Sequence, residues 1–226
     1  MTRIILVLSI VVAGIALATV SYYEFIKDDN NAPIAIIEYS PVEPREKEPV
    51  NFSGSQSSDP DQGDTITGYY WDWGDGKTDS TNEITIQHIY EYWGDFIVNL
   101  TVKDNRGLQS SLTEMHIYVR PQDTHVDFDG HVNGGQGTGQ GIFVAKKAVS
   151  LTVNYTLTAT TVIPPEVTLE LKNANDDVIR REGNVGPGSG QWVFDETDLT
   201  STGQYQFTIT GEEGGMDFEI DLDVHY

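Results

Sequence analysis

The chain has 226 residues, with 13 Lys plus Arg against 35 Asp plus Glu, a net charge of −22, and no cysteine. That length holds one large or two small domains, and the missing cysteine excludes disulfides, thiolate zinc centres, cysteine nucleophiles and lipid attachment through an N-terminal Cys. So acidic a surface repels phosphate backbones and anionic headgroups, which disfavours nucleic acid and peripheral membrane binding and favours cations.

In chain order, Arg3 is the only charge in residues 1–20, and an apolar run fills 4–20. As a helix, 17 residues span about 26 Å, close to the roughly 30 Å hydrocarbon core of a bilayer. Arg3 then stays cytoplasmic, and Glu24, Asp28 and Asp29, offset only by Lys27, follow on the far side. Tyr22, Tyr23 and Phe25 lie where an interfacial aromatic belt holds a helix end. The expectation is a single-pass anchor with everything after it extracellular. Two alternatives stay open: cleavage after Ala16-Leu17-Ala18, a small-x-small signal-peptidase pattern, and a helix that packs against copies of itself in a filament.

Residues 21–31 read as a polar stalk. From Pro33 onward no segment has convincing helical amphipathicity; short alternating runs are punctuated by Gly, Pro, Asn and Asp, which is the all-β pattern. Phe96, Val98, Leu100 and Val102 alternate, then Met115, Ile117 and Val119, with Asp104-Asn105-Arg106-Gly107 as the hairpin turn between them. Pro121-Gln122-Asp123-Thr124 is the expected linker, dividing a domain at 32–120 from one at 125–226. In the second half, Leu151, Val153, Tyr155 and Leu157 alternate, as do Val167, Leu169 and Leu171, and Tyr205, Phe207 and Ile209. Trp93-Gly94-Asp95-Phe96 and Thr202-Gly203-Gln204-Tyr205 introduce similar strands, and each half is expected to close with a hairpin. Gly134 to Gly141, GGQGTGQG, leads into a strand and lacks the helix and lysine of a phosphate cradle, so it reads as a flexible loop.

Trp71-Asp72-Trp73-Gly74-Asp75-Gly76, then His88-Ile89-Tyr90, then the strand from Gly94 to Asp104, resemble the PKD (polycystic kidney disease) domain family over about residues 32–120. Phe52-Ser53-Gly54-Ser55 and Ser58-Asp59-Pro60-Asp61 fit its usual loop, and Trp73 stands where Phe is commoner. The resemblance implies an immunoglobulin-like β-sandwich used for adhesion, spacing or contact with protein or carbohydrate, and no reaction. Trp71 and Trp73 share one face as core anchors, Asp72 takes the other, and Gly74-Asp75-Gly76 makes a tight turn. Tyr90 and His88 read as fold residues, the Tyr at a sandwich corner. The whole is therefore expected to be two tandem immunoglobulin-like sandwiches behind one transmembrane helix.

Asp59, Asp61 and Asp64 gather carboxylates in one turn, the chemistry hard cations prefer. Gly63 and Tyr70 stand where an EF-hand needs ligands, so it is not that motif. The family resemblance adds calcium with help from Asp104; the plainer reading is a solvated acidic loop. Asn51, Asn99 and Asn154 open N-x-S/T sequons on outward positions, candidates for glycans behind a translocation signal. His125, Asp127, Asp129 and His131 alternate along one strand, and Asp217, Glu219, Asp221, Asp223 and His225 along another; such ladders, if adjacent, share cations or simply keep outer faces solvated. No H-E-x-x-H or G-x-S-x-G occurs, and no catalytic residue is assigned. The expected function is a membrane-anchored surface protein, suited by its acidity to a salty, archaeal exterior, that touches surface proteins or carbohydrate. The alternatives are a filament or envelope subunit that self-associates and a non-catalytic binding arm of a secreted hydrolase.

Overall fold

The computed structural model describes residues 30–162 and 165–226. The anchor expected at 4–20 lies outside them; among the described residues no helix is long and apolar enough to cross a membrane. Among the described residues all fifteen regular elements are strands. Contacts divide the chain into two compact units, one of the described residues through Ser40 with Asn51–His88 and Phe96–Ile117, the other of Pro41–Val50, Ile89–Asp95 and Tyr118–Tyr226.

The first seven strands are β1 (Glu38–Ser40), β2 (Pro49–Ser53), β3 (Ile66–Asp72), β4 (Thr78–Thr81), β5 (Thr85–Ile89), β6 (Gly94–Asp104) and β7 (Thr113–Val119). They form a three-stranded sheet β1-β2-β5 and a four-stranded sheet β4-β3-β6-β7. Period-2 alternation turns Val98, Leu100 and Val102 of β6 inward, each fully buried. Phe52 from the small sheet packs on Trp71 and Trp73, with ring centroids 5.9 and 4.9 Å away, and so joins the two layers. The loop after β6 is longer than a hairpin turn: residues 105–112 separate β6 from β7, and the expected turn occupies only its start, where the Gly107 amide donates to the Asp104 carbonyl.

The remaining strands are β8 (Thr124–Asn133), β9 (Gly137–Val144), β10 (Ser150–Ala159), β11 (Glu166–Lys172), β12 (Val178–Val185), β13 (Gly188–Asp195), β14 (Gly203–Glu213) and β15 (Gly215–His225). They make two four-stranded sheets, β13-β10-β15-β8 and β12-β11-β14-β9, antiparallel throughout. Every second residue from Met216 in β15 to Tyr226 just beyond it enters the core, where Trp192 of one sheet meets Phe207 of the other at 5.7 Å.

Three expectations are corrected in this unit. The glycine run is not a loop along its whole length, because residues 137–144 pair with β14 as β9. A Cβ on Gly139 would lie 2.5 Å from the Phe207 carbonyl oxygen, so the glycines permit a close backbone approach that side chains would prevent. The closing strands are not a hairpin within one sheet: β14 and β15 lie in opposite sheets. Gly214, at φ +66°, turns this corner against Thr161 and Pro165, where a Cβ would sit about 3 Å from both. Finally, residues 121–123 are not a free linker. Pro121 is buried, Asp123 accepts from Arg45 Nη1 at 2.8 Å and from the Tyr226 amide at 3.1 Å, and Thr124 already begins β8.

Candidate functional site

The motif after β3 is built as a turn with a stacked aromatic floor. Gly74 and Gly76 take φ of +77° and +87°, the Gly74 amide donates to Asp72 Oδ1 at 3.0 Å, and the Lys77 amide donates to Asp75 Oδ1 at 3.0 Å. Trp71 and Trp73 stack at 5.2 Å, and His88 stacks on Trp73 at 4.6 Å. Trp73 Nε1 donates to Asp79 Oδ2 at 2.8 Å, and His88 Nε2 lies 2.9 Å from Asp75 Oδ2. Burial pushes the Asp75 carboxyl up, but its hydrogen bonds to His88 and to the Lys77 amide outweigh that and hold it below the usual carboxylate range. Tyr90 is fully buried, and its carbonyl accepts from the Lys47 amide at 2.7 Å.

Of the four proposed calcium ligands, three converge. Carboxylate oxygens of Asp59, Asp64 and Asp104 lie within 4.8 Å of one another, and Asp104 is only 1% exposed. Asp61 is instead engaged by Asn31, whose amide and side-chain nitrogens both donate to it at 2.6 Å. Those bonds from Asn31 hold the Asp61 carboxyl low. Asp104 Oδ1 accepts the amides of Arg106 and Leu108 at 2.8 Å each, and Oδ2 accepts from Asn30 Nδ2 at 3.0 Å. Burial raises the Asp104 carboxyl, while the amide of Leu108, the Asn30 side chain and the amides of Arg106 and Gly107 together bring it low. Arg106 Nε donates to Asp64 Oδ2 at 2.7 Å.

Two buried oxygens here, Asn30 Oδ1 and Asp59 Oδ2, have no hydrogen-bond partner. An oxygen-liganded hard cation would fit such orphaned acceptors beside converging carboxylates. Asn30 is a residue that sequence reasoning missed. It sits 74 positions from Asp104, in what read as stalk, and only its adjacency to the Pro33 start of the patterned region marked it.

The sequons fall on strands. Asn51 is exposed and accepts from Gln87 Nε2 at 2.8 Å; Asn154 is half-buried and accepts from Gln191 Nε2 at 2.7 Å; Asn99 is half-buried with Oδ1 enclosed and unpartnered.

The two acidic ladders are neighbours. The β8 and β15 register sets His125 opposite Asp223, Asp127 opposite Asp221, Asp129 opposite Glu219 and His131 opposite Asp217. His131 Nδ1 lies 2.7 Å from Asp217 Oδ1 and Nε2 lies 3.2 Å from Asn133 Oδ1; both contacts, Asp217 foremost, raise its pKa.

Residues 30–119 match the PKD domain family. The chain is 30% identical over 195 residues to Collagenase ColQ1 of Bacillus cereus (strain Q1), an alignment that takes in 75% of this chain and 20% of that protein. It is 43% identical over 61 residues to Collagenase ColA of Clostridium perfringens (strain 13 / Type A), covering 27% of this chain and 5% of that one. Among solved structures, the PKD1 domain from the Vibrio cholerae metalloprotease PrtV is 32% identical, with 40% of this chain and 99% of that chain covered and a TM-score of 0.33. The chain thus spans about a fifth or less of the length of these two bacterial collagenases.

Proposed function

We propose, from the premise that residues 30–119 form a PKD domain, that the chain is an extracellular, non-catalytic binding arm that holds a polymeric ligand through its β-sandwich faces. The observation that carries this reading is the 195-residue alignment to a bacterial collagenase, which corresponds to a fifth of that larger protein. A match of that extent suits an accessory segment rather than a whole enzyme, and fibrous collagen is therefore the first ligand to test. Calcium belongs to the same reading: Asp59, Asp64, Asp104 and Asn30 would hold it, and its charge would offset the carboxylates and order the chain entering β1. The apolar run at 4–20 favours display at a membrane surface as the way this arm is held, in place of release.

The test is co-sedimentation of the full chain, in mild detergent with calcium, with insoluble collagen fibres, and with cellulose and chitin in parallel. Saturable retention on collagen is expected. Absence of retention on all three polymers, or release of soluble fragments from any of them by the purified chain, overturns the proposal.

A further inference from the structure

We propose that the outer face of the β9–β14 strand pair binds a neutral polysaccharide, with Phe143, Gln204 and Gln206 as its main contacts. The inference rests on the reading of the chain as a binding arm, but not on collagen as the ligand. Charge is the first pointer. In a chain of net charge −22, residues 132–145 and 199–211 hold no charged side chain and no histidine. Yet β9 lies at the edge of its sheet among the described residues, a place that proteins commonly protect with charge. β8, at the edge of the opposite sheet, carries Asp127 and Asp129.

The register builds the face. Tyr205, Phe207 and Ile209 point into the core, so the alternate residues Gln204, Gln206, Thr208 and Thr210 face outward. They stand opposite Phe143, Gly141, Gly139 and Gly137 in that order. Three of these β9 positions have no side chain, and the carboxamides of β14 lie over the bare backbone. Gln204 Nε2 takes the space that a Cβ on Gly141 would fill, and Gln206 Nε2 lies 3.1 Å from the Cβ position of Gly139. The result is a shallow shelf floored by glycine and lined by amides and hydroxyls. At its end Phe143 is 43% exposed, with its ring centroid 6.2 Å from that of Trp93 in the same compact unit.

The chemistry of the shelf sets the class of ligand. It offers no cation to a phosphate or carboxylate, and no carboxylate to a basic peptide. Farther across the same sheet, Glu170 is paired with Lys172 at 3.9 Å and with Arg181 at 3.8 Å, so the flank is neutralised too. A protein partner needs a broader desolvated apolar centre than one aromatic pair supplies. Carboxamides and hydroxyls each donate and accept, as sugar hydroxyls do, and an exposed aromatic ring gives the C–H side of a pyranose an apolar seat. A row of uncharged sugar rings laid along β9 satisfies both.

The experiment uses the full chain with calcium, in a detergent that has no sugar headgroup. Cellohexaose and chitohexaose are titrated by calorimetry, beside a sulfated hexasaccharide and a triple-helical Pro-Pro-Gly peptide. Saturable binding of at least one neutral hexasaccharide is expected, and none of the sulfated one. Phe143→Ala should weaken the neutral sugar at least ~10-fold, and Gln206→Ala roughly 2–10-fold, the share of one hydrogen bond. His131→Gln, on the outer face of the other sheet, should bind as the unaltered chain does. All three side chains are exposed, and circular dichroism checks that each variant is folded. The proposal is overturned if neither neutral hexasaccharide binds saturably, if Phe143→Ala binds as tightly as the unaltered chain, or if Phe143→Ala loses the collagen-like peptide and keeps the sugar. That last outcome leaves the binding-arm reading standing, whereas failure to be retained on collagen, cellulose and chitin alike removes that reading itself.

Discussion

Trp73 is fully buried and stacks with Trp71 at 5.2 Å and with His88 at 4.6 Å. Trp73→Ala should lower stability by about 3–5 kcal/mol in urea denaturation, as for other large buried aromatics. Trp73→Phe keeps one aromatic ring but loses the rest of the indole and the bond to exposed Asp79, so a cost above the roughly 0.5–1.5 kcal/mol of the hydrogen bond alone and below that of the alanine change is expected. Gly74→Ala should be folded but weaker by more than ~1 kcal/mol, because φ is +77° and the new methyl would sit 2.5 Å from the Ile97 carbonyl oxygen. Asp104→Asn should abolish any calcium-dependent rise in Tm, and a rise equal to that of the unaltered chain would remove Asp104 from the site. The turn motif was legible because its chemistry is local: glycine, aspartate and tryptophan within six residues dictate the backbone. The Asp59, Asp64 and Asp104 cluster was legible only in part, because Asn30 reaches Asp104 through the fold and no spacing in the sequence announces that contact.

Among elements, alternation identified the strands wherever one face is apolar, as in β6 and β15, since side-chain period and burial then coincide. It failed at β9. There Gly137, Gly139 and Gly141 carry no side chain to alternate, and the pairing with β14 is written in backbone proximity alone. Gly139→Val should therefore destabilise the second sandwich strongly, visible as a lowered denaturation midpoint, since the branched side chain would meet the Phe207 carbonyl. The β14 to β15 corner escaped for a related reason: a single glycine at positive φ looks alike in a hairpin and in a crossover between sheets.

For the molecule as a whole, a net charge of −22 makes folding sensitive to both salt and pH. Asp75, Asp123 and Asp195 all have pKa values lowered in the fold, Asp123 by the Tyr226 amide, Arg45 and His225 against the effect of burial, and Asp195 by Thr197. Their contributions are complete above the ordinary carboxylate value of about 4 and fade as pH falls through the folded values. His131 is raised, so its contribution is complete below about 6.5 and fades as pH climbs through its folded pKa. Tm measured in chelator should thus plateau between these limits, and His131→Gln should flatten the alkaline flank.

The terminal position of β8 in its sheet bears on biosynthesis. Among the described residues its ladder runs only to β15, whose first residue, Gly215, comes about 90 positions after the first of β8. At roughly 5–20 residues per second of translation, β8 leaves the ribosome some 5–20 s before its mate exists. Throughout that wait it is an orphan ribbon with open amides. The aspartates and histidines along it then serve the nascent polypeptide, keeping it from templating its neighbours on a crowded polysome.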